Sequence, residues 1–109
     1  MTAEDWLRLR LAESPTPLRE RLEGPIAKLT PDVDLPDALM AAACELLERA
    51  RDRLDSRESA FDLLAADGLL TLACEAAAFS NPETLAERCR AMGPGGELGR
   101  VADRWMGRS

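Results

Sequence analysis

The 109-residue sequence contains no histidine and no tyrosine, and it has only two valines and one isoleucine. Without histidine, no imidazole base is available for a hydrolase triad and no His-based metal site can form. β-Branched and aromatic side chains are the ones that pack well on a pleated sheet, so their scarcity disfavours a β-rich fold. Eighteen alanines and eighteen leucines take their place, and both residues have high helix propensity.

Long apolar runs and paired cysteines are missing as well. The longest uninterrupted apolar run, residues 38–44, falls far short of the roughly 20 residues needed to span a membrane. The first residues lack the basic start and apolar stretch of a secretory signal. Cys44, Cys74 and Cys89 form no C-x-x-C pair, which argues against a disulfide framework and, without histidine, against a zinc site. We therefore expect a cytoplasmic protein with reduced thiols and no membrane contact.

The bulk composition predicts one folded helical domain over residues 1–109. A hydrophobic fraction of 46% is ordinary for a globular protein and too high for a disordered acidic tail. A chain of roughly 100 residues has the size of one domain. Thirteen of the fourteen basic residues are arginine, and together with the alanine content this bias is typical of a GC-rich bacterial genome.

The clearest pattern is a pair of helices, about residues 36–54 and 57–79. In the first helix, apolar residues recur at spacings of three and four, and charged residues take the opposite side. The second helix is apolar almost all round, which predicts a central position. Because the connection is short, the two helices should pack as antiparallel neighbours. In that register Gly68 lies opposite Ala43, where two small residues would let the backbones approach closely.

Residues that commonly cap or interrupt helices predict the remaining elements. Predicted helix starts lie at Thr2, Thr16, Asp55 (with Glu58 as a capping box) and Ser80. Gly24-Pro25 either kinks the second helix or divides it into two turns, and the glycines and proline at 93–96 end the last helix but one. The sequence therefore predicts an all-α bundle of five or six helices built around the central antiparallel hairpin.

Residues near the two ends of the chain support an interaction hypothesis, because tryptophan and arginine are concentrated at the centres of protein interfaces. The candidate interface residues are Trp6, Arg100, Arg104 and Trp105. No catalytic set accompanies them. We therefore expect a non-enzymatic helical module that binds a protein partner or a second copy of itself, as in a dimer.

The distribution of charge separates the last helix from the body of the chain. Residues 82–109 carry a net charge of +1. Because the whole chain has a formal charge of −6, residues 1–81 carry −7. Arg100, Arg104 and Arg108 lie four residues apart and can bind an acidic surface of the same chain or of a partner, or face water. Nucleic acid is not an expected partner, because the acidic body would repel phosphate.

Two E-x-x-E pairs, Glu20 with Glu23 and Glu45 with Glu48, each put two carboxylates on one helical face. This pattern resembles the all-α nucleotide pyrophosphohydrolases, whose E-x-x-E followed by E-x-x-D binds magnesium against a nucleotide triphosphate. The resemblance implies a magnesium-dependent nucleotide hydrolase as the alternative function, with the four carboxylates converging on one pocket. The chain departs from that pattern because its second pair ends in Glu48 rather than aspartate, and because Gly24-Pro25 follows the first pair.

A solvated surface is the simpler interpretation of these acidic residues. Arg49 and Arg51 lie three or four residues from the second glutamate pair, as ordinary surface partners do. The cluster of Asp32, Asp34 and Asp37 precedes a helix, where carboxylates stabilise the exposed N–H groups of the first turn. We therefore predict no metal ion and no other cofactor.

A third hypothesis places a small apolar ligand between the helices, lined by Phe61, Phe79 and Met92. Core packing accounts for the same residues without a ligand. The same reasoning treats Cys44 and Cys74 as small core residues within helices.

Overall fold

The computed structural model describes residues 2–29, 34–93 and 95–107. Within those residues the secondary structure consists of six α-helices and a short 3₁₀ turn at Pro82–Thr84, without a strand. The helices are α1 (Ala3–Glu13), α2 (Thr16–Ala27), α3 (Leu35–Asp52), α4 (Arg57–Ser80), α5 (Leu85–Met92) and α6 (Glu97–Trp105). The radius of gyration is 14.0 Å, close to the roughly 13 Å of a compact domain of this length. The all-α prediction is confirmed.

Helices α3 and α4 form the central antiparallel hairpin and pack against each other more extensively than any other pair. The hairpin turn is capped by Ser56, whose hydroxyl oxygen accepts the N–H of Ser59 at 3.2 Å. The cap is therefore one residue later than the predicted box at Asp55 and Glu58. Leu54, at the end of the predicted first helix, lies in the turn and is 58% exposed.

An ion pair between an exposed arginine and a buried aspartate joins the two helices of the hairpin near the turn. Asp62 on α4 is only 6% exposed, and its two carboxylate oxygens accept hydrogen bonds from Arg49 Nε at 3.2 Å and Nη2 at 3.1 Å. Arg53 approaches the same carboxylate at 3.9 Å. The hydrogen bond to Asp62 raises the pKa of Arg49, against an opposing effect of burial.

The face of α4 that is in phase with Asp62 is built mainly from alanine. Its buried residues include Ala65, Ala66, Leu69, Ala73 and Ala76. On α3, the fully buried positions are likewise Leu39, Ala43 and Ala50. Small side chains on both helices are what close approach of two helix axes requires, so alanine occupies the interior here.

Gly68 belongs to a different face of α4 from the one predicted. A Cβ atom at this position would lie 3.3 Å from Leu22 Cδ2 and 3.4 Å from Leu18 Cδ1, both on α2. The prediction that Gly68 faces Ala43 is therefore wrong. The glycine instead makes room for the leucines of α2, of which Leu22 is 1% exposed.

Helices α1 and α2 begin and continue for identifiable local reasons. Thr2 caps α1 as predicted, since its hydroxyl accepts the Asp5 N–H at 3.1 Å. The N-cap of α2 is Pro15 rather than Thr16. α2 is one helix that continues through Pro25. Gly24 permits this because it lacks the Cβ that would collide with a following proline ring in a helical backbone.

The turn between α5 and α6 depends on a glycine. A Cβ on Gly96 would lie 1.4 Å from the carbonyl oxygen of Ala91, so a side chain there would force the backbone to move. The predicted break after α5 is confirmed at Gly93, while Pro94 lies outside the described residues. The turn lets α6 return to the bundle, where Val101 is 2% exposed.

Candidate functional site

The four predicted interface residues make contacts within their own chain. Trp6 is 9% exposed and stacks on Phe79, with the ring centroids 6.0 Å apart. Trp105 is half-buried and packs against the core. Arg104 Nε donates to Glu48 on α3 at 2.6 Å, while Arg100 is exposed and donates to a backbone carbonyl at 3.4 Å. A role for these residues toward a partner stays a prediction.

Of the three arginines spaced four residues apart, Arg104 binds an acidic side chain of its own chain, Glu48. This hydrogen bond raises the pKa of Arg104. Arg108 lies outside the described residues.

The two E-x-x-E pairs do not converge. Glu20, Glu23 and Glu45 are exposed on the surfaces of α2 and α3, and Glu48 is occupied by Arg104. Among the described residues, no group of three or more acidic or thiol side chains could hold a metal ion. The expected surface pairings of these glutamates with Arg49 and Arg51 are also replaced, because Arg49 binds Asp62 and Arg51 approaches Asp52 at 4.0 Å.

The acidic cluster before α3 binds α5. Arg88 donates to Asp37 at 2.8 Å and to Asp34 at 3.0 Å, which joins positions more than fifty residues apart. Asp34 is the N-cap residue of α3, but its side chain makes no capping hydrogen bond. Asp37 does lie in the first turn of α3, as predicted, and both carboxylates accept hydrogen bonds from Arg88. Asp32 lies outside the described residues.

A strip of exposed side chains runs along α4 on the side away from its buried face. Its members recur at spacings of three and four, and all are exposed; we call them the α4 strip: Ala60, Leu63, Leu64, Asp67, Thr71, Cys74 and Ala78. Leu63 is 38% and Leu64 47% exposed. The strip covers about 27 Å of helix at 1.5 Å per residue, and its single charged side chain is Asp67.

The α4 strip differs from scattered surface leucines because its apolar side chains share one helix face, on either side of the polar residues Asp67 and Thr71. Single exposed apolar residues are common on soluble proteins, whereas apolar residues gathered on one face together with polar ones are typical of an interaction site. Sequence periodicity did not reveal the strip, because α4 is apolar on every side. The prediction of a fully central helix is correct for one face of α4 and wrong for this one.

Helix α4 is also long and apolar enough to cross a membrane by length and composition, the one helix among the described residues of which this is true. In the bundle, 39% of its most apolar window is buried against other helices. Asp62, paired with Arg49 inside the fold, belongs to the same helix. Core helices of water-soluble bundles share this length and composition.

A cleft of about 130 Å³ lies between α3, α4 and α5. Its apolar lining includes Met40, Ala73, Ala77, Leu85 and Met92, and Cys74, Asp37 and Arg88 also contribute. Of the three residues expected to line a ligand site, only Met92 does so here. Phe61 lies under the guanidinium of Arg21, 4.0 Å away, and Phe79 stacks on Trp6.

Cys74 is more accessible than predicted. Cys74 and Cys89 are exposed, and Cys44 is buried as expected. Partial burial nevertheless raises the pKa of the Cys74 thiol, with smaller contributions from Cys89 and Glu75. A raised pKa disfavours the thiolate, which is the reactive form, so this thiol is not set up as a nucleophile.

Comparison with known proteins adds no further guide. No protein-family model, no curated protein and no solved structure matches this chain. Two features of the described residues remain as candidate sites, the α4 strip and the cleft beneath α5.

Proposed function

We propose that this chain is a non-enzymatic, cytoplasmic helical module that associates with a second copy of itself through the α4 strip. The observation that carries the proposal is the row of seven exposed side chains, five of them apolar, along a helix whose other face forms the core. We favour this surface over Trp6, Arg104 and Trp105, because those side chains already contact their own chain.

A second copy is the occupant that the strip fits by symmetry. In a two-fold interface both copies use the same surface, so each contact between two different residues occurs twice. If two copies of α4 cross in antiparallel fashion at the middle of the strip, Leu64 faces Cys74 of the second copy, and Asp67 faces Thr71. The Thr71 hydroxyl donates to the Asp67 carbonyl at 3.0 Å within one chain. In the dimer it would rotate to donate to the facing carboxylate, so the one charge on the strip gains a partner.

The apolar area predicts a weak, reversible dimer. Full burial of a leucine stabilises by about 1.5–3 kcal/mol, and Leu63 and Leu64 retain 38% and 47% of their exposure. The four leucines of a dimer therefore contribute roughly 4 kcal/mol, with smaller additions from the alanines. Association itself costs at least about 4 kcal/mol. Because these two terms nearly cancel, only the smaller contacts remain to favour association, and we expect a dissociation constant no tighter than the millimolar range.

The first test is sedimentation equilibrium of the wild type across micromolar to millimolar concentrations. The wild type should show a reversible monomer–dimer equilibrium. Leu64→Glu should shift it to monomer, because two carboxylates would be buried without partners. Leu9→Glu is the matched control: Leu9 is a leucine of similar exposure, 53%, on α1, and its substitution should leave the equilibrium unchanged.

The second test examines the orientation of the two copies. In a Cys89→Ser background, Leu64→Cys should form an intermolecular disulfide with Cys74 under mild oxidation, whereas Leu9→Cys should not. A monomer at every concentration contradicts the proposal. Equal loss of dimer in the Leu9→Glu control would mean that the wrong surface is assigned. Binding of the wild type to lipid vesicles that Leu64→Glu abolishes, with no dimer in solution, would replace the second copy with a membrane.

A further inference from the structure

The cleft between α3, α4 and α5 suggests a second activity at a site that shares only Cys74 with the α4 strip. We propose that it binds a small, uncharged apolar molecule, of the size of one aromatic ring or a short aliphatic chain. The cleft is lined chiefly by apolar side chains, among them Met40, Ala77, Leu85 and Met92.

The size of the cleft limits the class of ligand. Its volume is about 130 Å³, near the roughly 150 Å³ of an engineered apolar cavity that stays dry and binds benzene. Pockets for larger organic ligands and cofactors occupy about 300–1,000 Å³. This volume suits a single ring, and it is too small to enclose a nucleotide or a flavin.

The charges at the cleft exclude ionised ligands. Arg88 is the cation that lines it, and this side chain already donates to Asp37 and Asp34 at 2.8 and 3.0 Å. A carboxylate ligand would have to displace one of these partners and face the other. An ammonium group would have to compete with Arg88 for Asp37, the carboxylate that lines the cleft, and it would lose hydration among the apolar side chains. A neutral molecule incurs neither cost.

Helix α5 is the wall of the cleft that a ligand would complete. None of its residues, all within the described range 34–93, is fully buried, and Leu85 and Met92 are half-buried. A bound apolar molecule would cover the remaining exposed area of both side chains, which provides the driving force for binding. Arg88 holds α5 in place over the cleft and acts as a positioning residue.

The experiment uses ¹⁹F NMR titration with fluorobenzene as the probe, and with 4-fluorobenzoate and 4-fluorobenzylamine as its charged counterparts. It is done in the Leu64→Glu variant as well as in the wild type, so that the result does not depend on dimer formation. We expect saturable broadening or shift of the fluorobenzene signal. Each charged probe should bind at least tenfold more weakly.

Matched variants locate the site. Ala91 lines the cleft and Ala86 does not, and both are exposed alanines on α5. Ala91→Leu should weaken fluorobenzene binding at least tenfold by filling the mouth, and Ala86→Leu should leave it unchanged; Ala77→Leu tests the same prediction from α4. Absence of saturable binding in the wild type overturns the proposal. So does tighter binding of 4-fluorobenzoate, or equal binding by the Ala91→Leu and Ala86→Leu variants.

Discussion

Replacing Arg49 with alanine is expected to destabilise the fold more than replacing its partner Asp62, although both variants remove the same ion pair. The reason is the unequal burial of the two side chains. The side chain of Arg49 is 53% exposed and that of Asp62 only 9%. A guanidinium that loses its partner returns to water, whereas a carboxylate that loses its partner stays inside the hairpin.

The expected magnitudes follow from that asymmetry. A hydrogen-bonded charged pair contributes about 1.5–3 kcal/mol, and an unpartnered buried charge costs more than the lost bond. For Arg49→Ala we expect a loss of about 3 kcal/mol, because Arg53 at 3.9 Å is too distant to replace the two hydrogen bonds. For Asp62→Ala we expect about 1 kcal/mol, since alanine also has the higher helix propensity. The double variant should lose about 1.5 kcal/mol, because it leaves no buried charge.

Urea unfolding followed by far-UV circular dichroism measures all three variants against the wild type. The sum of the two single-variant losses should exceed the loss of the double variant by roughly 2.5 kcal/mol, which is the coupling free energy between the residues. The m-value should not change. The reasoning is refuted if Asp62→Ala costs as much as Arg49→Ala, or if the double variant loses the sum of the two single losses.

Two further outcomes follow from the geometry. Gly96→Ala should lower Tm by several degrees, as expected for a loss of about 1–3 kcal/mol in a domain of this size, because its Cβ would meet the Ala91 carbonyl at 1.4 Å; Gly95→Ala, with open space around its Cβ, should change Tm little. In a Cys89→Ser background, Cys74 should react with iodoacetamide more slowly at neutral pH than a free thiol does, with the rate rising at higher pH. The raised pKa of Cys74 means less thiolate at a given pH, so a rate equal to that of the free thiol would contradict it.

The hairpin could be predicted from the sequence because the patterns that define it lie within a few residues of one another along the chain. Apolar spacing defines α3, the short connection requires an antiparallel neighbour, and turn residues near position 56 set the register. The Arg49–Asp62 pair joins residues that this register brings level with each other. The rotation of α4 about its own axis could not be predicted, since a helix that is apolar on every side gives no preferred face.

Small size as well as low polarity is favoured on the inner face of α4. Most of its buried positions are alanine, such as Ala66 and Ala73, although Leu69 is also buried, while Leu63 and Leu64 are exposed. A reading based on hydrophobicity ranks these residues in the opposite order. Hydrophobicity alone therefore assigns the leucines of the α4 strip to the core, and the strip could not be predicted from the sequence.

The ion pairs that attach the last two helices could not be read from the chain either. Arg88 reaches Asp34 and Asp37, and Arg104 reaches Glu48, each across more than fifty residues. Thirteen arginines and twenty acidic residues allow many such combinations. Only the packing of the helices selects among them.

The attachment of α5 through Arg88 has a consequence for the motion of the chain. Because α5 contributes no fully buried side chain, its opening exposes little apolar area, and the ion pairs carry much of the cost. Exposed ion pairs weaken as salt shortens the Debye length, which is about 8 Å at physiological ionic strength. Salt should therefore accelerate amide hydrogen exchange in α5 while the slowest amides of α3 and α4 keep their protection. If α5 opens in this way, ionic strength would set how often the cleft is uncovered, separately from the global stability of the bundle.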